Sequence, residues 1–282
     1  MSANHAAFNL IFRFVENYIS PIAGRISSQR HVMAIRDGFI SAMPFMIVGS
    51  FLLVFAYPPF SPDTTWGFAR AWLDLAKEFE GRILTPFDMT MGIMSIYICA
   101  AISYNLGKHY EKSNQLDPFM CAMLSIMAFL LIAAPKTNGT LPVDSLGGTG
   151  IFTAILVAIY CVEMMRFLKA HNIGIRLPDQ VPPMIKNSFD LLIPVLVVVL
   201  TLYPLSLFIQ HHFDMLIPQA IMAIFKPLVS AADSLPAILL AVLIGHLLWF
   251  AGIHGAAIVS GMLQMFWLTN LGMNQQALAQ GA

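Results

Sequence analysis

Six long apolar runs constrain this 282-residue chain more than any other feature. They cover approximately Gly38–Tyr57, Phe87–Leu106, Pro118–Ala134, Thr149–Phe167, Phe189–Ile209 and Leu235–Leu263. A helix needs about 20 mainly apolar residues to cross a hydrocarbon core of about 30 Å. Only helices and closed barrels satisfy every backbone group there. The runs therefore predict an all-α membrane protein, a polytopic helical bundle with about six spans. The third run is short and the sixth long. Because the sixth carries Gly245, His246, Gly252, His254, Gly255 and Gly261, it predicts a bend or break inside protein rather than one lipid-facing helix.

Composition agrees: 58% hydrophobic against 11% charged residues leaves too little polar surface to coat a soluble particle. Fifteen basic and fifteen acidic residues cancel, so no positive field exists to hold nucleic acid by its phosphates. Cys99, Cys121 and Cys161 are far apart in apolar runs, which argues for buried thiols rather than a disulfide framework or a metal site. No long apolar run follows an early basic patch, so no cleaved signal peptide is expected and the mature chain is expected to start at Met1.

Two segments are amphipathic, Phe8–Ile26 and His212–Ala232, and suit either the membrane interface or packing on other helices of the chain. Counting Lys and Arg in the connections gives ten on the side of the N-terminus and five on the other, which predicts a cytoplasmic N-terminus. Glu163 with Arg166 reads as an ion pair near a span end, and Asp88 and Asp190 as charges at helix N-termini. The loop Ala134–Thr149 reads as a plain outside loop. Its Gly147-Gly148-Thr149-Gly150 lacks the Lys-Ser/Thr ending of a phosphate-binding loop.

His246-Leu-Leu-Trp249-Phe-Ala-Gly252-Ile-His254-Gly255 is the densest functional candidate. An imidazole deep in an apolar segment is costly against lipid and normally faces a cavity or a partner. Trp249 offers a flat apolar face for a sugar ring, and Gly252 and Gly255 let backbone approach a ligand. A packing seam, with both histidines satisfied by carbonyls, is the competing reading. The spacing of His246 and His254 does not suit zinc, and no cofactor is expected.

With these residues in view, the chain resembles the membrane-embedded IIC component of the bacterial sugar phosphotransferase system, in its lactose/cellobiose/diacetylchitobiose branch. The resemblance rests on Arg36-Asp-Gly-Phe-Ile-Ser-Ala-Met-Pro-Phe-Met-Ile-Val-Gly-Ser50, on Val181-Pro-Pro-Met-Ile-Lys-Asn-Ser-Phe-Asp-Leu-Leu-Ile-Pro194 and on Trp249-Phe-Ala-Gly-Ile-His-Gly255. It implies a homodimer in the bacterial inner membrane that moves a β-linked disaccharide, such as diacetylchitobiose or cellobiose, while a soluble IIB partner phosphorylated on cysteine supplies the phosphoryl group. The donor cysteine would lie on that partner, so no catalytic residue is expected in this chain. The family's histidine falls on His254, and the candidate substrate-binding set is His254, Trp249, Gly252, Gly255, His246 and Asn138. The implied organisation is an amphipathic segment over 1–35, a dimer-interface-like transmembrane domain over 36–210, a linker helix over 211–234 and the start of a sugar-binding domain over 235–282. Relatives usually continue well past this last motif, into a segment holding the carboxylate that partners the histidine. None follows Gly255 here, so the resemblance implies an incomplete transporter, inactive alone. A non-transporting membrane scaffold is the alternative, and a self-contained hydrolase lacks any Ser/His/Asp set.

Overall fold

The computed structural model describes residues 13, 17, 20–135, 139–175, 178, 180–182, 185, 189–250 and 255–279. Among them the regular structure is helical: α1 (Ser20–Ser27), α2 (Arg30–Ala56), α3 (Gly67–Phe87), α4 (Met94–Asn114), α5 (Pro118–Ala133), α6 (Ile151–Ala170), α7 (Leu192–Phe213), α8 (Ile217–Ala232), α9 (Leu235–Phe250) and α10 (Gly255–Ala279). A π turn over Asp88–Gly92 joins α3 to α4, and a 3-10 turn over Gly148–Gly150 leads into α6.

Local chemistry sets several boundaries. Asp117 caps α5, its carboxylate accepting from Phe119 N at 2.8 Å and Met120 N at 3.3 Å, while Pro118 supplies a helical φ where no N–H is needed. Asp117→Ala is expected to cost about 1 kcal/mol, read as a small fall in the thermal midpoint of the detergent-solubilised chain with its elution position unchanged. Gln29 caps α2 in the same way, accepting from Val32 N at 2.8 Å.

α4 is the centre of the bundle, packed by α2, α5 and α6. Its inner face presents Met94, Ile98, Cys99, Ile102 and Leu106, all fully buried, at helical spacing. In lipid, helices associate through close packing, since acyl chains are as apolar as leucine, so small residues at crossings matter most. Gly38 of α2 is one such crossing. A Cβ built there would lie 2.9 Å from Ile102 N and 3.0 Å from Ile102 Cα, and would overlap Ile102 Cγ1. α6 is an inner helix, with 61% of its most apolar window buried, whereas 17% of the equivalent window of α7 is buried, leaving α7 at the periphery.

The ion pair expected at Glu163 forms, with Arg166 Nε donating to Oε2 at 2.7 Å. It belongs to a larger cluster: His31 Nε2 meets Oε1 at 2.9 Å and Tyr110 donates to the same oxygen at 2.7 Å, while the guanidinium of Arg166 lies over the Tyr110 ring at 4.9 Å. One carboxylate thereby ties α2, α4 and α6 together at one end of the bundle.

Among the described residues, four helical stretches are long and apolar enough to cross a membrane, Arg30–Ala56, Gly67–Asn114, Gly148–Ala170 and Leu192–Phe213. Taken as one span, the pair α8 and α9, bent by 72°, makes five. The short third run is α5. The sixth run is not one helix: Gly245 of α9 faces Val259 of α10, with 3.7 Å between an ideal Cβ and Cγ2, and Ala241 and Val242 share a recess with Trp267. α10 thus doubles back along α9.

Two expectations are corrected. Asp88 does not open a span, because its N–H is already bonded to the carbonyls of Leu84 and Thr85 and the helical path continues through the π turn. Asp190 does stand just before α7, and it also pairs with Lys169, Oδ2 to Nζ at 2.8 Å, across a recess of about 320 Å³ at the C-terminal end of α6. The loop before α6 is not plainly outside, since Ser145, Leu146, Gly147 and Gly148 are buried. Ser95 holds this stretch from α4, donating through Oγ to Gly147 O at 2.6 Å. The glycines there serve packing: α10 lies so close that a Cβ on Gly148 would stand 2.9 Å from Met273 N.

Candidate functional site

The last turns of α9 carry His246 and Trp249, and α10 returns beside them. Between the two helices lies a recess of about 260 Å³, lined by Ala241, Val242, Gly245, His246, Trp249, Val259 and Trp267. Gly245 keeps α9 free of a side chain where α10 approaches, so both indoles reach the same space. Trp249 is 53% exposed.

His246 has a defined role. Its Nδ1 lies 2.8 Å from Val242 O, one turn back on α9. A carbonyl only accepts, so Nδ1 carries the hydrogen and in the neutral ring Nε2 is left as an acceptor. The competing reading, a histidine satisfied by a carbonyl, therefore holds for one of its two nitrogens. Two flat apolar faces and one imidazole acceptor suit a ring with C–H faces and peripheral hydroxyls better than a charged ligand.

Of the candidate set, His246 and Trp249 are brought together, and Gly255 opens α10. His254, Gly252 and Asn138 lie outside the described residues. Sequence reasoning missed Trp267: it sits beyond the motif, and only the fold-back of α10 brings it to Trp249.

The family described as "Phosphotransferase system, EIIC" matches residues 36–282. This chain belongs to that family. The EIIC chain is also 33% identical over 285 residues to the cellobiose-specific EIIC component of the phosphotransferase system from Geobacillus stearothermophilus, covering 95% of this chain and 61% of that protein. To the lactose-specific EIICB component of Streptococcus mutans it is 32% identical over 267 residues, covering 93% of this chain and 45% of that one. Its fold is similar to the crystal structure of the transporter ChbC, the IIC component of the N,N'-diacetylchitobiose-specific system, with a TM-score of 0.81 at 33% identity over 95% of this chain and 64% of that structure. The EIIC chain thus spans less than two thirds of the length of these relatives. Family and fold agree with the resemblance carried by the three sequence motifs, and place the chain among membrane proteins of this system.

Proposed function

We infer that this EIIC chain binds a β-linked disaccharide, of the diacetylchitobiose or cellobiose type, and takes part in its translocation coupled to phosphorylation by a cysteine-phosphorylated IIB partner. The observation that carries this reading is the recess between α9 and α10, where Trp249 and Trp267 flank the imidazole of His246. In the proposed mechanism the indoles stack on sugar rings, Nε2 of His246 accepts a hydroxyl, and His254, Gly252, Gly255 and Asn138 complete the binding set. His254 is assigned to the hydroxyl that receives the phosphoryl group, because an imidazole can hold that proton at neutral pH. Relatives whose names specify cellobiose, lactose and diacetylchitobiose support the substrate class. A relative named EIICB supports a IIB partner.

The same proposal takes residues 36–210 as the dimer-forming domain of a homodimer, 211–234 as a linker, and 235–282 as belonging to the sugar-binding domain, in a bacterial inner membrane with the N-terminus cytoplasmic. Saturable binding of radiolabelled diacetylchitobiose or cellobiose to the detergent-solubilised chain is the expected result. A dimer with no affinity for either sugar would favour a membrane scaffold and overturn the transport reading.

A further inference from the structure

The end of the bundle away from Glu163 carries a feature that sugar binding does not use. Past Tyr57 the chain turns through Pro58 and Pro62 into α3, on which Arg70, Leu73, Asp74, Lys77 and Glu80 recur at three- and four-residue steps and so share one face. With Ala56, Tyr57 and the two prolines, this face walls a recess of about 480 Å³, within the range of about 300–1,000 Å³ usual for small-molecule sites. Its charges are of both signs. Asp74 lies between Arg70 and Lys77, and among the described residues none of the three makes an ion pair. Glu80 accepts the Tyr57 phenol at 2.9 Å through Oε1, leaving Oε2 for another partner. Burial first, and this carboxylate second, push the phenol up, which keeps it protonated as the donor.

The position of α3 says what such a recess meets. Trp72 Nε1 donates to Phe55 O at 3.2 Å, and Glu80 meets Tyr57. α3 is thereby fastened at two points to the last turn of α2. Around that end Phe55, Phe60, Trp66, Phe68 and Trp72 form a chain of tilted and edge-on contacts, with ring centroids 5.4–6.0 Å apart. Trp66 and Phe68 remain 59% exposed. Tryptophans clustered where an apolar helix ends mark the depth of lipid headgroups.

We propose that the recess on α3 binds the headgroup of phosphatidylethanolamine, with Arg70 and Lys77 on the phosphodiester, Asp74 and Glu80 on the primary ammonium, and Trp66 and Phe68 against the glycerol and upper acyl chain. A choline headgroup has no N–H to donate to the carboxylates. An anionic glycerol headgroup meets Asp74 and Glu80 with no cation of its own. Ammonium and phosphodiester together match the charged, hydrogen-bonding groups on both sides of the recess.

The test uses the full chain in detergent, exchanged against defined lipids, with retained lipid counted by native mass spectrometry. Phosphatidylethanolamine is expected to be retained at least fivefold over phosphatidylcholine and phosphatidylglycerol. Arg70→Gln with Lys77→Gln removes that preference. Should this pair unfold the chain, Asp74→Asn gives an independent reading, because loss of the carboxylate shifts retention toward phosphatidylglycerol. Displacement by soluble glycerophosphoethanolamine assigns the affinity to the headgroup. Equal retention of the three lipids, retention that soluble headgroup does not displace, or a dimer whose formation expels lipid from this face would each overturn the proposal.

Discussion

Gly38→Leu is expected to impair folding severely. The Cβ alone enters the space of Ile102 N and Cα, which are backbone and cannot rotate away, and the remaining carbons add to an already overlapping Cγ1. Overpacking typically costs about 1–3 kcal/mol, occasionally more. Here α2 can relieve the clash only by withdrawing from α4, which would also loosen the neighbouring core contacts of Phe39 and Met46. A fall of roughly 10 °C in thermal midpoint is expected for about 3 kcal/mol in a chain of this size, together with aggregated material in size-exclusion profiles. Gly81→Leu is the control. That glycine is inside α3 with nothing within 4 Å of an added Cβ, and leucine is the better helix former by most of a kcal/mol. Equal behaviour of the two variants would show that the α2/α4 crossing is not as close as described.

Trp249→Ala and Trp267→Ala should each weaken disaccharide binding about tenfold or more, the equivalent of roughly 1.4 kcal/mol or above. An aromatic face contributes most of its contact area as one rigid unit at low entropic cost. Because Trp249 is half exposed, its removal should leave thermal stability nearly unchanged, which separates loss of a stacking face from loss of the fold. Trp249→Phe should recover part of the affinity, since a smaller ring keeps a flat face without the indole N–H. Affinity unchanged in both alanine variants, measured with the same radiolabelled sugars, would remove the α9/α10 recess from the binding site and leave the family membership standing.

The candidate site was only partly legible beforehand. Trp249 and His246 stood out because polar and aromatic groups are conspicuous in an apolar run, where each needs a reason to be there. Trp267 carried no such signal, since one more tryptophan in an apolar segment is unremarkable until a second helix lies beside it. Gly148 carried no such signal either. In the chain it belongs to a turn-rich loop, and in the fold it is where α10 comes too close for any side chain. Glu163 was paired correctly with Arg166, one turn away, but His31 and Tyr110 arrive from α2 and α4, far off in the chain.

The sequence by itself determined the solvent and the repertoire: runs of apolar residues long enough for lipid leave helices as the structure that satisfies the backbone in place. The caps that Asp117-Pro118 and Gln29 supply are equally local, acting on N–H groups two or three residues away, but they became visible with the structure. Tertiary structure alone decided which faces meet. In a membrane every apolar face is equally at home against lipid or protein, so hydropathy does not say that α4 is central, that α6 is inner and α7 outer, or that α10 folds back on α9. Those choices rest on shape at contact distance, between Gly38 and Ile102 or Gly148 and Gly272, where the absence of a single carbon permits an approach that no periodicity records.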